Sequence, residues 1–238
     1  KKVAGCTPSD TSAAALAEMM VGASFKGPQK KQHELGKTRL SVKALTLAGN
    51  DSGKSPISDL SFEIAAGEIL GIGGIAGNGQ EELLAALSGE ALSAPQMFQL
   101  NGENIGHLGP NARRTLGLLC APEERLGHAA APNMSLIENA LLTGALRKKL
   151  VKNGFLNWSG AEKFAKIIID EFDVRTPGTA NTAASLSGGN LQKFVIGREV
   201  LQDPDVLVVN QPTWGVDAAA AAAIRQSLLD LAAKGAAI

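Results

Sequence analysis

The chain has 238 residues, 45% of them hydrophobic, and its 23 Lys and Arg balance 23 Asp and Glu. This length and apolar content suit one large domain or two small ones, and zero net charge gives no pull toward nucleic acid or an anionic membrane. No run of 18 apolar residues is present to span a bilayer, and Cys6, Cys120 and the histidines at 33, 107 and 128 show no metal spacing.

The start, KKVAGC, lacks an initiating Met and the apolar region of a signal peptide, and the end, GAAI, is where a strand can begin. With so few cysteines, the expectation is a fragment of a longer cytoplasmic protein. Residues 1–22 read as a short strand, a turn at TPSD and a helix from Ser12 to Met20, capped by Thr11 or Ser12. Residues 26–38, KGPQKKQHELGKT, are polar and read as a linker.

A second unit opens at Leu40. LSVKALTLAG alternates as a strand does, NDSGKSP is a turn, and ISDLSFEIAAG is a second strand, antiparallel to the first. EILGIGGI is a short apolar run that reads as a buried strand; a glycine loop and a helix over 80–88 follow it. QMFQLNGENI is an edge strand with an Asn-Gly turn, and RTLGLLCAPEER is a strand that stops at Pro. Residues 135–172 are helical in pattern with a break at KNGFLNW. RTPGTANTAASLSGGN is loop-like, and Ser187 or Ser185 is placed to cap a helix over 190–201. DPDVLVVNQP holds a buried strand, and AAAAAAIRQSLLDLAAKG is a helix stopped by Gly. Such alternation predicts an α/β fold with a mostly parallel sheet covered on both faces, and the middle helices as a separate lobe.

Three stretches carry chemistry. In GGIAGNGQEELL, residues 73–84, Gly74, Gly77 and Gly79 lie between an apolar run and a helix, the setting of a phosphate-binding loop. The backbone N–H groups of such a loop and the helix start form an anion cradle that needs no side chain. The Lys and hydroxyl that normally complete it are replaced by Gln80 and Glu81. Glu81 is a candidate Mg²⁺ ligand, or else a carboxylate favoured by the first helical turn. LSGGNLQK places Ser187, Gly188 and Gly189 at a second helix start. In VLVVNQPTWGVD an apolar strand ends in Asn210 and Gln211, where a nucleotide hydrolase needs a Mg²⁺-binding Asp and an acid that polarises water. Neither amide can act as a base.

In this order the three stretches resemble the ATP-binding cassette family, and more narrowly the second cassette of fused two-cassette subunits of bacterial sugar and nucleoside importers. GIAGNGQEEL resembles a variant Walker A motif, LSGGNLQKFVIGRE the signature helix, and NQPTWGVD the Walker B and D-loop, with Asp217 at the D-loop position. APEERLG puts Glu123 at the Q-loop position, RTPG leans toward the nucleoside branch, and LAEMMVG resembles the tail of a first cassette. Trp214 for Arg, the Ala run after Asp217 and Glu81 for Ser or Thr depart from the pattern. No aromatic residue lies between Ser41 and Ser61 to stack on adenine.

The resemblance implies a P-loop NTPase-type three-layer core over residues 40–238, C-terminally incomplete, with an antiparallel β edge and a helical subdomain at about 120–188. Residues 1–25 would be the tail of a preceding cassette and 26–39 a linker. The strands ending at Gly73 and Val209 would be central neighbours. It implies ATP and Mg²⁺ as cofactors. ATP would be bound by Gly74, Gly77, Asn78, Gly79, Gln80 and Glu81, with Ser187, Gly188 and Gly189 offered to the ATP of a first cassette. Asn210, Gln211, Glu123 and Asp217 would stand at the catalytic positions, and no residue is a certain metal ligand, Glu81 being only a candidate for Mg²⁺. The partners implied are a first cassette in the same subunit, membrane permease subunits and, indirectly, a solute-binding protein, with no nucleic acid, at the cytoplasmic face of the membrane. Two other readings stay open: an active cassette of the DNA-repair kind, which zero net charge disfavours, and a protein-interaction cassette that no longer binds nucleotide.

Overall fold

Alternating apolar residues in the first half of the chain build a hairpin sheet. In the computed structural model, β1 (Thr38–Leu47) pairs antiparallel with β2 (Ile57–Ala65) on one side and β3 (Phe98–Leu100) on the other; β4 (Glu103–Asn104) follows. The structure describes residues 27–47 and 56–238, with the single positions 5, 7, 11, 12, 15 and 19. Of the turn expected over 50–56 only Pro56 is described, of the strand expected near the start only Gly5, and of the helix expected over 12–20 only three residues. There the Ser12 hydroxyl accepts the Ala15 N–H at 3.1 Å, as an N-cap does. Between β3 and β4, Asn101 and Gly102 both have positive φ, 50° and 87°, the turn that an Asn-Gly pair favours.

The second half is helical and wraps a short parallel pair. From Gln80 on, the helices are α1 (Gln80–Ser88), α2 (Pro110–Leu116), α3 (Leu136–Gly144), α4 (Trp158–Glu171), α5 (Gly188–Val200) and α6 (Ala218–Ala233). Strand β5 (Leu118–Ala121) runs parallel to a later strand at Val206–Val209. The break expected between α3 and α4 is a two-stranded hairpin, β6 (Val151–Lys152) with β7 (Phe155–Leu156), which makes the Val206–Val209 strand β8. A capping box starts α3: Ser135 Oγ accepts the Glu138 N–H, and the Glu138 carboxylate accepts the Ser135 N–H at 2.7 Å.

The two-residue period of β5 and β8 sorts their side chains into two cores. Leu118 and Val206 face a cluster with Leu40, Val42, Phe98 and Leu100 of the antiparallel sheet and Leu83 and Leu87 of α1. Leu119, Ala121 and Leu207 face the larger cluster, with Phe164 and Ile168 of α4, Phe194 of α5 and Ile224 and Leu228 of α6. The pair is thus covered on both faces, giving three layers with α3 and α4 packed against α5. The larger sheet, however, is antiparallel: among the described strands, β5 and β8 are the parallel pair.

Two expectations are corrected. EILGIGGI forms no strand. Only its first residues are tied in, with the Leu70 N–H donating to the Ile238 carbonyl at 2.8 Å and the Ile238 N–H to the Glu68 carbonyl at 2.9 Å. Beyond them Ile72 and Ile75 are exposed, and three glycines leave nothing to pack. Nor is this segment a neighbour of β8. Residues 236–238 lie between the two, with the Leu207 N–H donating to the Ala237 carbonyl and the Ala237 N–H to the Asp205 carbonyl, both at 2.9 Å.

Residues 27–36, read as a linker, carry no regular structure but lie along α6. The Gln29 N–H donates to Gln226 Oε1 at 2.8 Å, Lys31 pairs with Asp230 at 3.0 Å, and a ring nitrogen of His33 lies 2.7 Å from the Gly67 carbonyl oxygen.

Candidate functional site

The glycine loop is built as its sequence requires. Gly77 and Gly79 take φ of 87° and 97°, a left-handed backbone that glycine adopts without strain. Gly79 is the N-cap of α1, and no side chain caps that helix start. Gly74 and Asn78 are exposed, and Gln80 turns back over the loop. Its Nε2 donates to the Ile75 carbonyl at 2.9 Å, and its Oε1 accepts the Asn78 N–H at 3.0 Å. Glu81 is exposed on the first turn of α1, beside Glu82.

A cavity of about 860 Å³ gathers four of the expected residues: Glu81, Glu123, Gly188 and Asn210. Asn210 sits at the end of β8, where its N–H donates to the Ala121 carbonyl at 3.0 Å. The wall is acidic. Glu81, Glu82, Glu90, Glu123 and Glu124 face it against Arg125 and His128, and His128 Nε2 lies 2.9 Å from Glu90 Oε1. Ser187, Gly189 and Asp217 line a different cavity, of about 540 Å³, between α5 and α6. Gln211 faces solvent with φ of 49°, and its carbonyl accepts the Trp214 N–H at 3.0 Å.

Helix caps account for two of these positions locally. Asp217 is the N-cap of α6, its Oδ1 accepting the Ala220 N–H at 2.8 Å. Ser187 is the N-cap residue of α5, ahead of Ser185 in the sequence-based choice, but its hydroxyl does not bond the helix amides. It accepts instead from Asn190 Nδ2 at 2.9 Å.

Sequence reasoning missed the residues that tie these segments together. Arg125 donates from Nη1 to the Gly188 carbonyl at 2.8 Å and passes so close to Gly215 that a Cβ there would meet its Nη2 at 3.0 Å. Gln192, buried on α5, donates to the Pro212 carbonyl at 3.0 Å. Both lie inside quoted motifs, but nothing in the spacing marks a side chain that serves a distant backbone. Behind the site, a buried network joins α2, α3 and α5. Glu199 takes Arg198 Nε at 2.8 Å and Arg114 Nη1 at 2.5 Å, and Arg198 Nη2 reaches the Ala129 carbonyl at 2.7 Å. Burial alone would raise the Glu199 carboxyl, but the charges of Arg198 and Arg114 outweigh it and hold the group below the usual carboxylate range. Burial pushes the nearby Cys120 thiol up to about 12, which keeps it protonated and unreactive.

The arrangement fits a polyphosphate through backbone and not through charge. The loop offers N–H groups and a helix start, while the side chains around it are amides and carboxylates. Among the described residues no group of three or more His, Cys, Asp or Glu is arranged to hold a metal ion.

Residues 57–214 match the family model described as ABC transporter. The chain is 36% identical over 223 residues to a guanosine import ATP-binding protein of Bacillus subtilis, covering 93% of this chain and 43% of that protein. It is 34% identical over 224 residues to a nucleoside import ATP-binding protein of Lactococcus lactis, covering 94% and 44%. It is 32% identical over 238 residues to a ribose import ATP-binding protein of Streptomyces avermitilis, covering 100% and 44%. The chain thus spans less than half the length of these relatives. Its fold is similar to that of a dimeric ATP-binding cassette in a post-hydrolysis state bound to ADP and Pi, with a TM-score of 0.66 at 17% identity over 82% of this chain and 83% of that one. With its family model running from β2 through the end of β8, the chain belongs to the ABC transporter family.

Proposed function

We propose that the chain is the degenerate second cassette of the ATP-binding subunit of an importer for nucleosides or simple sugars. The observation that carries this reading is Asn210 at the end of β8. It faces the cavity shared by Glu81, Glu123 and Gly188, with an amide where hydrolysis needs an acid. Import of guanosine, nucleosides and ribose in the names of the relatives supports the solute class.

In this reading residues 1–25 are the tail of a first cassette, 26–39 the linker, and 40–238 the second cassette with its helical subdomain at about 120–188. The backbone of Gly74, Gly77, Asn78, Gly79 and Gln80 would hold the phosphates of ATP, and Glu81 is the carboxylate nearest the loop for Mg²⁺. When bound, Mg²⁺ would offset the charge that the missing Lys leaves uncompensated. Ser187, Gly188 and Gly189 would serve the nucleotide of the first cassette, with Asp217 at the D-loop position. Glu123 and the α3–α4 region would face permease subunits at the cytoplasmic side of the membrane, with a solute-binding protein acting through them. The test is calorimetric titration of the protein with ATP, with and without Mg²⁺, beside a hydrolysis assay. Weak, Mg²⁺-dependent binding and a hydrolysis rate indifferent to Gln211→Ala are expected. Fast hydrolysis abolished by Gln211→Ala would overturn the reading.

A second reading, a regulatory cassette that no longer binds nucleotide, is favoured by the five carboxylates on the cavity wall. No binding heat from folded protein would select it.

A further inference from the structure

The Gln80 carboxamide is matched to its loop at both ends. Nε2 donates to a carbonyl, that of Ile75, and Oε1 accepts an amide N–H, that of Asn78. The reverse orientation would set donor against donor and acceptor against acceptor, so the two contacts fix which atom is which. A lysine or arginine at this position could serve only the Ile75 carbonyl, because neither side chain has an acceptor. Gly74 makes room for the arrangement: a Cβ there would stand 2.5 Å from Gln80 Nε2. The Asn78 N–H engaged in this way is one of the backbone donors by which such a loop holds an anion.

We propose that Gln80 is an internal clasp on the phosphate loop. Its carboxamide occupies the Asn78 N–H and must be displaced before the polyphosphate of a nucleotide can take that donor. The clasp rests on the reading of residues 74–81 as a nucleotide phosphate loop. It assigns Gln80 a role opposite to that of the lysine it replaces: the side chain competes with the ligand for the loop. Removing it therefore strengthens binding. A residue that held the phosphates would, on removal, weaken it.

The experiment compares the full protein with Gln80→Ala and with Gln80→Met, which keeps the length of the side chain and loses both hydrogen bonds. Each is titrated with Mg²⁺–ATP and with pyrophosphate, and exchange of the Asn78 amide proton is followed by NMR without ligand. Exchange of Asn78 several-fold faster in both variants is expected, with ATP and pyrophosphate bound about three- to tenfold more tightly, the range set by one net hydrogen bond. Unchanged Asn78 exchange, or weaker binding by both variants, overturns the clasp. Faster exchange with no binding by any of the three proteins leaves the clasp standing and removes the nucleotide reading beneath it.

Discussion

The Phe172 ring lies where a side chain at Gly197 would stand: a Cβ on Gly197 would come within 2.6 Å of the ring. This glycine sits inside α5, where helix propensity alone makes alanine better by about 1 kcal/mol. Packing reverses the sign, because the Cβ would meet three atoms of the ring, whose half-buried side chain is packed against the large core. Gly197→Ala is expected to destabilise by about 1–3 kcal/mol in urea unfolding. A gain in stability would show that Phe172 yields freely.

The buried Arg198–Glu199–Arg114 network is the second place where one atom decides. Glu199→Gln leaves Arg198 and Arg114 without their carboxylate, and the expected loss is about 3–5 kcal/mol. The pH dependence has a definite direction. The folded Glu199 carboxyl lies below its unfolded value of about 4.3. Its contribution is therefore complete above that value and is lost as pH falls through the lower folded one. Urea midpoints measured between pH 7 and pH 3 should fall more steeply for the parent protein than for Glu199→Gln, and parallel curves would count against the network.

Arg113 is fully buried and bonded to backbone oxygens alone. It donates to the carbonyls of Ala86 and Leu87 at the end of α1, to Gly106 at 3.0 Å and to Leu108 at 2.9 Å, and lies 5.1 Å from the centre of the Phe98 ring. A cation at a helix C-terminus is favoured by the helix dipole. Arg113→Met strands buried acceptors worth about 1–3 kcal/mol each, so thermal unfolding should shift by several degrees. A shift under one degree would mean that water replaces the guanidinium.

The acidic cavity predicts an unusual salt effect. Five carboxylates face the space that a nucleotide held by the loop and Asn210 would approach. Salt weakens most phosphate binding by screening attraction, but here it screens repulsion. Affinity for Mg²⁺-free ATP should rise between about 0.05 and 0.3 M NaCl, and Glu81→Gln should raise it at low salt by about two- to fivefold, as loss of a neighbouring like charge does. Affinity that falls with salt would mean that Arg125, on the same wall, outweighs the carboxylates.

Much of this architecture is legible in the residues. β1 and β2 announce themselves by alternation, α1 by the glycine loop ahead of it, and the β3–β4 turn by Asn101-Gly102. Helix α2 is not, because seven residues carry too little period; its signals were Pro110 at the first position and Gly117, with φ of 108°, after its end. EILGIGGI misleads because an apolar run shows burial potential, whereas strand formation needs a partner edge, and that edge reaches only Gly67–Leu70. The order of motifs gave no sign that Glu81, Glu123, Gly188 and Asn210 share one cavity while Ser187, Gly189 and Asp217 line another and Gln211 faces solvent. The inward turn of Gln80 and the reach of Arg125 were not legible either, since both depend on where distant backbone oxygens fall.

The three residues Ala236, Ala237 and Ile238 set a ruler for the site. Bonded to Glu68 and Leu70 on one side and to Asp205 and Leu207 on the other, they hold the foot of the loop segment two ladder spacings from β8, about 9–10 Å. The glycine loop therefore leaves from a base that backbone hydrogen bonds alone set apart from the strand leading to Asn210. A proline at Ala237, which would lose the N–H that reaches Asp205, would blur that measure without touching a single residue of the cavity wall.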